Sequence, residues 1–105
     1  MSQKASFSDI INSDVPTLVD FTAAWCGPCK ALKPVMNRVF QERKDYNFIL
    51  VDVDHNQDVA RHMRIRSVPT VVMFHDGEAI SQYAMGPNPT TINKWLDLAN
   101  EKLVK

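Results

Sequence analysis

The chain has 105 residues, one domain's length, and with 45% hydrophobic residues it can bury an ordinary core without metal or disulfide staples. Twelve basic and twelve acidic side chains cancel, so no charge imbalance points to nucleic acid or an anionic membrane. No apolar run suits a transmembrane helix or a secretory signal, and the expectation is one domain over 1–105, a soluble cytoplasmic monomer.

The segment SFSDIINSD reads as a short helix capped by Ser6 or Ser8, with Phe7, Ile10 and Ile11 on its apolar face. VPTLVDFTA is β-branched and aromatic and reads as a strand, with Pro16 at its start. Leu32, Val35, Met36, Val39 and Phe40 then recur at helical spacing, which predicts a long amphipathic helix kinked at Pro34. NFILVDVD begins as a nearly continuous apolar run, as a strand buried on both faces would. NQDVARHM predicts a short helix burying Val59, Ala60 and Met63. PTVVMF and AISQYAM read as strands joined at Asp76-Gly77, a strong hairpin signal. Asn88 and Pro89 read as the N-cap and first-turn proline of a last helix that turns Ile92, Trp95, Leu96, Ala99 and Leu103 inward. The order α-β-α-β-α-β-β-α predicts an α/β fold. Its βαβ half should be parallel, its last two strands antiparallel, and helices should cover both faces of one mixed sheet.

The only two cysteines, Cys26 and Cys29, stand in AAWCGPCK between the first strand and the long helix. Zinc wants four ligands, and this pair supplies two. His55, His62 and His75 form no tight pair at ligand spacing and read as solvated or capping residues, although a zinc site shared between subunits stays open. A structural disulfide is out of place in a reducing compartment. Redox chemistry fits better. Residues three apart on a helix hold their Cβ atoms roughly 5–6 Å apart, close enough to bridge with modest adjustment. Free amides at the helix start can stabilise a thiolate on Cys26, exposed to attack a partner, while Cys29 lies deeper and resolves the mixed disulfide.

FTAAWCGPCK resembles the active-site segment of the thioredoxin family, and the likeness covers nearly the whole chain: LVDF before the site, VDVD in the second strand, then RIRSVPT, DGE and MGPNP. The resemblance implies the thioredoxin fold, with a central mixed β-sheet of four to five strands flanked by four helices. It implies dithiol–disulfide exchange with protein disulfides, Cys26 as nucleophile and Cys29 as resolving thiol, and no bound cofactor. It also implies regeneration by a flavin-containing, NADPH-dependent thioredoxin reductase.

Other residues take their roles from the same likeness. Asp20, on its own pattern, is either buried with a raised pKa or turned to water at a strand edge. The family has a buried aspartate here, which accepts the proton of the second cysteine, Cys29. Pro69 suits a strand start, and the family places a cis proline beside the disulfide, leaving the Val68 backbone to receive an extended substrate segment. Trp25, Gly27, Pro28 and Val68 join Pro69, Met85 and Gly86 as a shallow apolar rim, with Gly86 read as a point of close backbone approach. Gly27 and Pro28 add no charge beside Cys26, which favours a reductase over an oxidase or isomerase on the same fold. A non-redox binding subunit is the reading from another class. Two positions depart from the family: Thr22 stands where many relatives have Trp, and Leu50 where well-known relatives place Lys or Glu near the buried aspartate.

Overall fold

The computed structural model describes residues 7–103. Its elements follow the expected order: α1 (Phe7–Ile11), β1 (Thr17–Thr22), α2 (Gly27–Glu42), β2 (Asn47–Asp52), α3 (Gln57–His62), β3 (Thr70–His75), β4 (Glu78–Tyr83) and α4 (Pro89–Glu101). The capping expected of Ser6 or Ser8 falls outside the described residues. The sheet has four strands in the order β2-β1-β3-β4. β1 and β2 are parallel, whereas β1 and β3, and β3 and β4, are antiparallel.

β1 therefore sits inside the sheet, paired on both sides. Side chains alternate between faces along a strand, so each face receives half of β1. Leu18, with Val71 and Met73 of β3, packs under Leu32, Met36 and Val39 of α2 and Ile92, Leu96 and Ala99 of α4. Val19 and Phe21, with Val72 and Phe74, pack on the opposite face with Ile11, Phe7 and the half-buried Val59 and Met63. The Phe7 ring meets Phe74 edge-on at 5.6 Å. The hairpin turn is of the mirror-image kind, with φ of 51° at Asp76 and 83° at Gly77, which matches strand twist. Asn88 caps α4, its side-chain oxygen accepting the Thr91 N–H at 3.1 Å. α2 runs as a single element through Pro34.

Three expectations of burial are corrected. β2 is not buried on both faces: it is the outermost strand of the sheet, and only Val51 within it is fully buried. Phe40 is 42% exposed, its ring resting against that of Phe48 on that same edge strand. Of the α3 residues expected inside, Ala60 alone is fully buried.

Candidate active site

β1 leads straight into the cysteines. Cys26 is the N-cap of α2, with extended backbone, and its Sγ accepts the Cys29 N–H at 3.1 Å. The two are joined as a disulfide, with their Cα atoms 5.3 Å apart. Helical spacing brings them together, and the cap position leaves the first amides of α2 free to face the sulfur. The expected difference in depth is not there. Cys26 and Cys29 are equally buried, in a small cluster with Ala23, flanked by Val53 and Val68. Both pack under the strand ends, which the spacing of two residues on one helix does not reveal.

What separates the cysteines is their neighbours. The antiparallel pairing of β1 with β3, Phe21 opposite Thr70, sets the start of β3 beside the end of β1. The segment before β3 thus lies against the disulfide, with the Val68 carbonyl oxygen 3.7 Å from Cys26 Sγ. The Val68-Pro69 bond is cis, as expected. The Thr70 hydroxyl donates to the Ser67 carbonyl at 2.7 Å and closes this turn.

Cys29 faces another way. It lines a cavity of about 200 Å³ with Asp20, Thr22, Leu50, Lys30, Lys33 and Asp52. Asp20 is 2% exposed, and its Oδ1 has no hydrogen-bond partner. Burial pushes its carboxyl up to about 7, since desolvation disfavours the charged form. Of the two alternatives left by the strand pattern, the buried one holds. Leu50 is directly opposite Asp20 in the parallel pairing, so their side chains share a face. The apolar Leu50 puts no charge directly opposite Asp20, while Asp52 further along β2 and Lys30 and Lys33 of α2 line the same cavity.

The rim residues divide. Trp25 is 70% exposed beside Cys26, and its indole N–H donates to Asp54 Oδ2 at 2.8 Å. Gly27 and Pro28 are exposed in the first turn of α2. Met85 is 77% exposed beyond the end of β4, and Gly86 accepts the Tyr83 hydroxyl on its carbonyl at 2.6 Å. Neither Met85 nor Gly86 lines the cavities at Asp20 or Trp25. The reason given for Gly86 is also corrected. A Cβ there would meet nothing within 4 Å, and its φ of +98° is what favours glycine. Asp54 and Arg66, which the sequence reading did not single out, belong to the surroundings of Trp25. Their places in VDVD and RIRSVPT, segments already tied to the site, were the available signal.

Among the described residues, no three His, Cys, Asp or Glu side chains gather as a metal site requires. The ring of His75 meets the Asp14 carbonyl oxygen at 2.9 Å, an ordinary structural contact.

The thioredoxin family model matches residues 1–98. The chain belongs to the thioredoxin family. A thioredoxin of Mycoplasmoides gallisepticum is 41% identical over 78 residues, 74% of this chain and 78% of its own length. The oxidised mitochondrial thioredoxin 3 of Saccharomyces cerevisiae has a similar structure, with a TM-score of 0.78 at 35% identity over 87% of this chain and 86% of that one. A bifunctional thioredoxin reductase/thioredoxin of Mycobacterium leprae is 38% identical over 77 residues, 72% of this chain but 17% of that longer protein. With this membership and the Cys26–Cys29 disulfide, the chain is a thiol–disulfide oxidoreductase acting by dithiol–disulfide exchange.

Proposed function

We propose that the protein is a general protein-disulfide reductase in which Cys26 attacks and Cys29 resolves. The carrying observation is the different setting of the two sulfurs: Cys26 beside the Val68 carbonyl, Cys29 on the Asp20 cavity. The Cys26 thiolate, stabilised by the amides of α2, attacks one sulfur of a substrate disulfide and expels the other as a thiolate. Cys29 then loses its proton to Asp20, through water in the cavity they share, and attacks Cys26. The second substrate thiolate leaves, the substrate is reduced, and the protein is left as the disulfide. Val68 and Pro69 receive the extended substrate backbone next to Cys26, with Trp25, Gly27 and Pro28 as apolar rim. Met85 and Gly86 extend that rim only if a substrate spans the distance to them.

Reducing power returns from a thioredoxin reductase, which holds the flavin and draws on NADPH, so this chain needs no cofactor of its own. The reductase fused to a relative in M. leprae supports that partnership. A single domain working as a monomer in the cytoplasm completes the reading. With two cysteines in the whole chain, both in the exchanging pair, none is left for a structural bridge, as suits a reducing compartment. No helix among the described residues is long and apolar enough to cross a membrane.

Trapping tests the division of labour. Cys29→Ser should accumulate a mixed disulfide with substrate through Cys26, seen by mass spectrometry, and Cys26→Ser should not. Equal trapping by both variants would overturn the assignment. The wild type should accelerate insulin reduction by dithiothreitol and Cys26→Ser should not; no acceleration by the wild type would point to the non-redox reading.

A further inference from the structure

A second recess, of about 140 Å³, lies between Trp25, Val53, Ile65 and Val68, with Arg66 and Ser67 completing its wall. Its lining is almost wholly apolar and its size suits one side chain. Val68 belongs both to this recess and to the disulfide's surroundings, since its carbonyl oxygen is the group 3.7 Å from Cys26 Sγ. A substrate segment that runs past Val68 while its cysteine is attacked by Cys26 reaches the recess. Extended chain advances roughly 3.3 Å per residue, so the side chain entering it stands one or two positions from the substrate's cysteine.

Arg66 gives the recess a charge. It is exposed, and its guanidinium has no ion pair or hydrogen bond among the described residues. Two acids that follow β2 are engaged elsewhere. Asp54 accepts the Trp25 indole N–H at 2.8 Å, and Asp58 pairs with Arg61 at 3.4 Å. Arg64, two residues before it, is also exposed and has no ion pair among the described residues. A planar guanidinium with free donors at the mouth of an apolar pocket is complementary to a carboxylate carried next to an apolar side chain.

We infer that this recess selects among substrates. It favours extended disulfide-bearing segments of proteins with an apolar side chain within two residues of the attacked cysteine and an adjacent Asp or Glu that pairs with Arg66. This rests on the reading that Cys26 attacks substrate here. The bonds made and broken are those of the exchange: the substrate disulfide opens as the Cys26–substrate disulfide forms, and the displaced sulfur leaves as a thiolate.

Peptides with one intramolecular disulfide would be compared, identical except for Glu, Gln or Lys beside a leucine that flanks the cysteine. Each protein's rates would be referred to bis(2-hydroxyethyl) disulfide, which carries neither charge nor side chain. An exposed ion pair contributes about 0.2–1 kcal/mol, so kcat/KM should favour the Glu peptide over the Gln peptide by up to roughly fivefold at low salt. The preference should shrink as ionic strength rises. Arg66→Glu should invert the order to favour Lys, and Arg66→Gln should flatten it. The same ranking in wild type and Arg66→Glu would overturn the inference. Reduction of bis(2-hydroxyethyl) disulfide by Cys26→Ser would instead refute the reading beneath it.

Discussion

Asp20 occupies the one position of β1 where an ionisable side chain points into the α2 face of the sheet. Its raised pKa ties stability to pH. The folded state holds the proton up to about 7, whereas the unfolded chain releases it near 3.8. Below the lower value both states are protonated and folding bears no penalty. As pH rises from there through the folded value, the unfolded state is favoured by its ionised carboxylate and stability falls, by on the order of 4 kcal/mol in total. Asp20→Asn should remove most of this fall, so urea melts at pH 5 and pH 8 should differ far less in the variant than in the wild type. It should also slow release of the mixed disulfide by about tenfold or more, because Cys29 loses its proton acceptor. An unchanged pH slope in Asp20→Asn would assign the linkage to another group. The burial of Asp20 was not legible in TLVDFT. A strand inside a sheet buries both faces and an edge strand does not, and strand order is a property of the whole chain.

Helix α2 concentrates the chemistry in its first turn, where Gly27 and Pro28 present neither charge nor side-chain donor. A histidine there could donate a hydrogen bond to Cys26 or attract its thiolate when protonated. Pro28→His should therefore favour the reduced form and raise the reduction potential, by about 30 mV for each tenfold change in equilibrium constant. Equilibration against glutathione buffers measures this, with Pro28→Ala as the control for the freed backbone N–H. Equal potentials for the two variants would remove charge between the cysteines as the source of the reducing character. α2 itself, the hairpin at Asp76-Gly77 and the Asn88 cap were legible, because helical periodicity and turn chemistry are local. Phe40 and β2 misled for the opposite reason. An apolar residue on a helical stripe is buried only if the neighbouring element covers it, and edge strand β2 covers Phe40 incompletely.

Among the described residues each face of the sheet carries a core, and the core under α2 and α4 thins toward the edge strand β2. Leu96 is fully enclosed between α4, α2 and β3, so Leu96→Ala should cost about 2–5 kcal/mol by chemical denaturation. Phe40→Ala should cost about 1 kcal/mol or less, since its ring is half in solvent. Similar losses for both would mean that Phe40 is enclosed in solution. At this scale the site is where β1 ends and β3 begins. The cysteines were legible because they are neighbours in sequence. The contact of Cys26 with Val68, 42 residues later, depends on antiparallel pairing in the middle of the sheet. The recess at Arg66 is further from view, since it requires three segments to converge.

The atom that changes oxidation state is also the one that ends a helix, because Cys26 Sγ accepts the Cys29 N–H. A thiolate is a stronger acceptor than a neutral disulfide sulfur. Each pair of electrons gained therefore tightens a backbone hydrogen bond, and each pair lost relaxes it. The Cys29 amide becomes a built-in gauge of electron count. Its proton should resonate further downfield and exchange more slowly with solvent in the reduced protein, as nitrogen–proton correlation spectra can record. Following that one signal would titrate the carrier in a mixture with its partners, with no probe attached to either sulfur.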